Sequence, residues 1–386
     1  MTEPRNDFTD DELRRWRREF PALAQMVHLA NCSHGPQSLR VRRAIEGYLD
    51  SWRARGMDWE AWMSEVAAAR AAFARLIGAE PPDVAISTSA SAAVASIASA
   101  LDPSAPRGRV LTTEAEFPTV AHVWLAHRKY GLRVDFVPVR DGRIELEDYE
   151  RRLDEGTALV SATHVYYRNG FKQDLAAIAR IAHDRGARVL VDAYQSLGAC
   201  DLDVRRLDID ILVCGALKYL LGLPGIAFIY VRPELVDSLE PALTGWFGRR
   251  DPFAFDARTL DWAARARRLE TGTPPVFAAI AARAGIELIL EAGPGRIGRR
   301  IEGLSRHAMD AAAEHGLEYV GPTDPAMKGA TTALRVPDPH RAEAALRERG
   351  ILTSARGDVI RLAPHFFNTT DDIDRALTAL SRLASR

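Results

Sequence analysis

Short apolar runs, each cut off by a charged residue or a glycine, dominate the middle of this 386-residue chain. Val189-Leu190-Val191 stops at Asp192, Ile209 to Cys214 ends just ahead of Lys218, and Ile226 to Val231 follows a Gly/Pro turn. Runs of this length and punctuation predict buried strands. Between Val84 and Tyr230 they alternate with stretches of helical spacing. The clearest is Asp174 to Arg185, which Gly186 is placed to close. That alternation predicts right-handed βαβ crossovers and a mixed, mostly parallel sheet flanked by helices, an α/β fold.

The flanks read differently. Asp10 to Phe20 is helical until the Phe20-Pro21 step, and Val27 to Ala30 is a short strand running into the loop Asn31 to Pro36. Val41 to Met57 and Ala61 to Leu76 carry helical spacing. Beyond about Ile286 the pattern predicts one long arginine-rich helix, a strand at Thr331 to Val336, another helix, and a strand at Val359 to Leu362. The length exceeds what one core usually holds. We therefore expect a large domain over 36–285, a smaller α+β domain over 286–386, and an N-terminal segment, 1–35, that adds to the small domain and the active site.

Composition narrows the class only slightly. Charged residues make up 27% and hydrophobic ones 47%, with a formal net charge of -1, which gives no basic footprint for nucleic acid or an anionic membrane. No apolar run approaches the roughly 18 residues that span a bilayer. The acidic, polar N-terminus does not resemble a secretory signal, so a cytoplasmic location is expected. Three cysteines, Cys32, Cys200 and Cys214, with no CxxC pair, read as free thiols rather than a disulfide or metal site.

Asp192 and Lys218 would both sit just past the carboxyl ends of neighbouring strands, where open α/β sheets bind ligands. Singly, an Asp is more often a cap and a Lys more often solvated. Lys218, however, lies among Ala216, Leu217, Leu220 and Leu221, where an ammonium costs several kcal/mol unless it is neutralised or made covalent. The pair suits pyridoxal 5'-phosphate (PLP), with the lysine in a Schiff base and the carboxylate keeping the pyridine nitrogen protonated. A second feature agrees. Ser87-Thr88-Ser89-Ala90-Ser91 follows a strand and opens a small-residue helix, which makes an anion site of hydroxyls and free N–H groups.

The order of these residues resembles the class V aminotransferase family of fold-type-I PLP enzymes, with kynureninase the nearest subgroup. Asp192-Ala193-Tyr194-Gln195-Ser196 is similar to its Asp-x-x-Gln/His-Ser segment, and Glu116-Phe117-Pro118-Thr119 to its Asn-Phe-Pro-Thr. Thr163 to Gly170, Lys218-Tyr219-Leu220, Gly245-Trp246-Phe247-Gly248, Gly272-Thr273-Pro274-Pro275 and Ile360-Arg361 continue the series in the family's order.

The resemblance implies Lys218 and Asp192 as catalytic residues and Ala90 N–H, Ser91 and Thr273 at the phosphate. It implies Phe117 on the ring face, Gln195 at the phenolic oxygen, and His164 as a further cofactor neighbour. Arg361, helped by Asn31, would hold a substrate α-carboxylate, and Trp246 with Arg249 would shape the side-chain pocket. It also implies a homodimer with shared sites, acting on an amino acid.

Departures bear on the reaction. Leu217 stands where kynureninase has tyrosine, and Gln195 and Arg249 stand where it has histidines. No cysteine follows Cys214, so a cysteine desulfurase is not expected. The leading expectation is a kynureninase-like lyase that cleaves at the side chain. The alternatives are a class V aminotransferase and, third, a PLP-fold protein that only binds.

Overall fold

The computed structural model describes residues 8–102 and 104–384; residues 1–7 of the expected N-terminal segment lie outside the described residues. The chain is α/β. Its main sheet has seven strands: β2 (Val84–Ser87), β3 (Arg109–Thr113), β4 (Arg133–Val137), β5 (Thr157–Thr163), β6 (Arg188–Asp192), β7 (Ile211–Gly215) and β8 (Ala227–Val231). Their spatial order is β2-β8-β7-β6-β5-β3-β4. Only β8 runs against its neighbours; the β3, β4, β5, β6 and β7 pairings are parallel.

Both faces of this sheet are covered, as continuous apolar strands require. Leu111, Val160, Leu212 and Phe228 point into one core. Phe73 of the helix Trp59–Leu76 stacks on Phe228 there, with ring centroids 4.3 Å apart. Val110, Leu159, Val213 and Ile229 point the other way, against Val94 and Ile97 of the helix Ala90–Ser99 and Trp124 of the helix Pro118–His127. The C-terminal edge of the strands is left for loops, and Asp192 is the last residue of β6.

A second sheet is antiparallel, in the order β12-β13-β10-β9, built from β9 (Glu318–Tyr319), β10 (Thr332–Arg335), β12 (Ser354–Arg356) and β13 (Val359–Leu362). Helices Pro294–Glu314 and Thr370–Ala384 close its core through Leu304, Ala308, Ile373 and Leu377. The single long helix expected beyond Ile286 is two, Val276–Ala292 and Pro294–Glu314. Gly293 at φ +92° turns the chain between them, and Pro294 opens the second helix, where its missing N–H costs nothing.

The N-terminal strand β1 (Val27–His28) pairs in parallel with β11 (Ile351–Leu352), and Ala30 bridges Ala363. That pairing delivers Asn31, Cys32 and Ser33 to the seam between the two sheets. Among the described residues no helix is long and apolar enough to cross a membrane, and no cluster of metal-ligating side chains occurs.

Candidate active site

Lys218 lies in the loop after β7, where it is bent back by a turn in which Leu221 N–H donates to the Lys218 carbonyl at 3.1 Å. Leu221 holds φ +59°, a left-handed conformation that costs a side-chain-bearing residue energy and marks a constrained loop. Gly35 packs on this turn so closely that an added Cβ would stand 2.7 Å from the Lys218 carbonyl and 2.8 Å from Leu221 Cδ2. The backbone that carries the lysine is therefore wedged from the N-terminal loop.

The lysine ammonium stands 4.1 Å from the centroid of the Tyr194 ring and 5.6 Å from that of Phe117. Gly215 makes room for Tyr194, since a Cβ there would collide with the phenol. Burial lowers the Lys218 pKa and Arg361 lowers it further, while Asp192 and Cys32 pull the other way. The neutral amine is thus easier to reach than in water, as a lysine that carries or moves a proton requires.

Asp192 is buried at the end of β6, and Tyr194 N–H donates to its Oδ1 at 2.8 Å. Burial raises its pKa, opposed by that N–H and by the Lys218 charge. Among the described residues it forms no ion pair. Gln195, one turn on, donates its amide N–H to the Cys32 carbonyl at 3.0 Å, and its Oε1 is buried without a partner. A buried carboxylate without an ion pair, an orphaned acceptor on Gln195 and a lysine whose ammonium is disfavoured by burial fit PLP. When bound, that group supplies the electron sink that makes a Cα proton removable.

The anion site is a capped helix end. Ser89 accepts from Ala92 N–H as N-cap of the helix Ala90–Ser99, so Ala90 is its first residue. Ser91 Oγ and Thr119 Oγ1 lie 2.7 Å apart, which puts a second hydroxyl from the Phe117-Pro118-Thr119 segment at the same helix end. Phe117, the N-cap of the helix that follows, is 41% exposed.

Arg361 in β13 is fully buried, yet its acceptors are all neutral. Its guanidinium donates to the Tyr167 carbonyl at 2.7 Å, Ser354 Oγ at 2.6 Å, Ser33 Oγ at 3.2 Å and the Ser354 carbonyl at 3.3 Å. Among the described residues it has no carboxylate partner and forms no salt bridge. Asn31 donates to the Ala363 carbonyl at 2.8 Å and keeps Oδ1 buried and unpaired.

The other expected residues make contacts of their own, and the His164 main-chain N–H donates to the Asp192 carbonyl at 2.9 Å. His164 is buried beside Lys172, and burial with the Lys172 charge lowers its pKa to about 3. It lines a cavity of about 700 Å³ with Lys172, Cys200 and Lys328. Arg249 is held by Asp261 at 2.8 Å and by the Asp256 carbonyl at 2.6 Å, which commits its charge to the loop that follows Trp246. Trp246 packs edge-on against Trp59, with centroids 6.1 Å apart. Thr273 is exposed in the turn ahead of the helix Val276–Ala292.

The aminotransferase class-V family profile matches residues 36–370. The chain belongs to that family. Its cofactor is PLP, and it is a class-V PLP-dependent enzyme. It is 39% identical to the "Uncharacterized aminotransferase YcbU" of Bacillus subtilis (strain 168), over 95% of this chain and 97% of that one. Similarity to isopenicillin N epimerase of Streptomyces clavuligerus is 29% identity over 93% of this chain and 95% of the epimerase. With kynureninase of Bacillus anthracis it is 27% over 97% and 92%.

Among solved structures, the apo cysteine desulfurase of Thermococcus onnurineus NA1 shares the fold at a TM-score of 0.87, covering all of both chains at 24% identity. The cystine C–S lyase C-DES, in complex with cysteine persulfide, shares it at 0.86 over 94% of this chain and 99% of that one, at 21% identity.

These likenesses correct one expectation. Cysteine desulfurase was set aside because no cysteine follows Cys214, but class-V desulfurases have this fold and the exclusion does not stand. The expectation rested in part on chain order. In the fold, Cys32 arrives from the N-terminal loop and bears electrostatically on Lys218 and Tyr219. Sequence reasoning also passed over Tyr194, Thr119 and the serines around Arg361. Of these only Thr119 had a local signal, its place in the Glu-Phe-Pro-Thr segment.

Proposed function

We propose that this enzyme acts on an L-α-amino acid, with Lys218 carrying the cofactor and moving the Cα proton. Asp192 faces the pyridine nitrogen, and the N-terminus of the helix Ala90–Ser99, with Ser91, receives the phosphate. Arg361 receives the substrate carboxylate. The observation that carries this reading is the Arg361 guanidinium, buried with neutral acceptors only. A desolvated guanidinium is strongly favourable only when a charge-complementary group completes its shell, and a planar carboxylate matches its fork.

The reaction we favour is lyase chemistry, in which the side chain departs after Cα deprotonation. One neutral acid, the Tyr194 phenol, whose pKa burial raises, borders Lys218 and is placed to protonate a leaving group. The kynureninase relatives support this reading. Transamination is the second reading, favoured by the 39% identity to a protein named an aminotransferase. Both use the same anchors. A homodimer is part of the proposal, with Trp52, Phe253, Phe255 and Phe277 as exposed apolar residues available for pairing.

The deciding experiment incubates PLP-loaded enzyme with kynurenine, cystine, cysteine, aspartate and alanine, each with and without a keto acid. The lyase reading requires alanine, pyruvate, sulfide or ammonia to form without the keto acid. Amine transfer that occurs only with it would establish the aminotransferase instead.

A further inference from the structure

β5 and β6 pair in parallel with Ser161 opposite Leu190 and Thr163 opposite Asp192. Residues two apart on a strand share a face, so Ser161, Thr163 and Asp192 project to the same side of the sheet. Glu116, just past the end of β3, reaches that side. Trp124 Nε1–H donates to Ser161 Oγ at 3.0 Å, and Ser161 Oγ lies 3.4 Å from Glu116 Oε1. An indole can only donate, so the serine hydrogen is free to point to Glu116.

Glu116 is 4% exposed, its Oε2 is buried without a partner, and among the described residues no cation pairs with it. The other titratable group near it is Tyr149, whose phenol already donates to Gln173 Oε1 at 2.8 Å. Glu116 and Asp192 are both buried on this side of the sheet, and like charges buried near one another repel, so one of the two is favoured to keep its proton. Asp192 has the Tyr194 N–H and the Lys218 charge in its favour; Glu116 has one long hydroxyl contact. Burial and the Asp192 charge push the Glu116 carboxyl well above the usual range.

We propose that Glu116 is an uncharged positioning residue: held as a carboxylic acid behind Asp192, it leaves Asp192 the single negative charge facing the pyridine nitrogen of bound PLP. This rests on the reading that Asp192 faces that nitrogen. An ionised Glu116 would add a second buried negative charge beside Asp192, with no cation paired to it to offset the cost. The substitution of Glu116 for the asparagine expected at this place preserves a neutral side chain while adding a carboxyl whose charge is switched off by its surroundings.

Infrared spectroscopy of the full-length protein with ¹³C-labelled glutamate carboxyls tests this, with PLP bound and after its removal. The expected result is a protonated glutamic acid band near neutral pH that disappears in Glu116→Gln. In Asp192→Asn the pH at which this band titrates should fall by about one unit or more, since coupling between two sites is reciprocal. Glu116→Gln, which imitates the neutral acid, should hold PLP within about twofold of wild type.

No protonated band, a titration unmoved in Asp192→Asn, or a loss of PLP affinity of about tenfold in Glu116→Gln would each overturn the proposal. Should Glu116→Gln fail to fold, Glu116→Asp also removes the labelled carboxyl and must abolish the labelled band; a band that persists would belong to another glutamate and count against the proposal. The coupled band in protein that binds no PLP would refute the site reading while leaving the proton placement standing.

Discussion

The Arg361 guanidinium donates to the main-chain carbonyl of Tyr167 at 2.7 Å, which ties strand β13 of the small sheet to the loop after β5 of the large one. The residue proposed to take the substrate carboxylate therefore also joins the two sheets. Lys218, whose pKa it helps to lower, is within its electrostatic reach.

Arg361→Leu separates these duties. Its internal partners are hydroxyls and carbonyls, and none is a carboxylate left unpaired by the change. The variant should fold and retain its PLP absorbance. Its apparent affinity for an amino acid, read by spectral titration, should weaken by about 10- to 100-fold, as loss of a charge-assisted contact of about 1.5–3 kcal/mol implies. Arg361→Lys should recover little, because an ammonium lacks the planar fork. Unchanged amino-acid affinity in folded Arg361→Leu would place the carboxylate elsewhere.

Gly35 offers a test of how the lysine loop is held. Gly35→Ala drives a methyl into the Lys218 carbonyl and Leu221 Cδ2, and the backbone oxygen cannot yield without moving the lysine. Retained secondary structure with PLP binding weakened by about tenfold is the expected outcome, since a displacement of roughly 1 Å is enough to spoil a positioned group. Wild-type PLP affinity in the alanine variant would show that the loop absorbs the methyl.

How far this arrangement was legible in the sequence depended on range. Val359 to Leu362 is the strand expected, and Asp174 caps the helix Leu175–His183 with Gly186 at φ +68° beyond it, because these signals are local. The large sheet followed from apolar runs that needed burial on both faces. What adjacent residues do not encode was missed. The parallel pairing of Val27–His28 with Ile351–Leu352 brings Cys32 towards Lys218 across most of the chain, and so defeats an argument from cysteine order. The Glu116 environment needed β3 and β6 folded side by side with β5 between them. Arg249 reads as a free cation until Asp261 is seen to hold it.

His365 packs under Tyr219, the residue after the lysine. Its Nδ1 accepts from Phe366 N–H at 2.8 Å and its Nε2 donates to the Tyr219 carbonyl at 3.1 Å, which requires the neutral ring. Burial lowers its pKa to about 4, partly opposed by the Tyr219 carbonyl and assisted by His28. An unfolded histidine binds its proton near pH 6.5. The unfolded chain therefore takes up protons first, and this contribution to stability is present above about pH 6.5 and is lost as pH falls towards 4. The loss from this group is on the order of 3 kcal/mol. The His365 ring resonance in NMR should not titrate above about pH 5, while urea stability falls from about pH 6.5 towards 4. A midpoint near 6.5 in the folded protein would contradict the neutral, doubly bonded ring.

The central claim is that Lys218 bears the cofactor, and borohydride tests it most directly. Purified holoprotein should be yellow, its visible band should vanish on reduction, and peptide mapping should find the pyridoxyl group on Lys218. A pyridoxyl group on another lysine, or no bound PLP after reconstitution, would contradict the account.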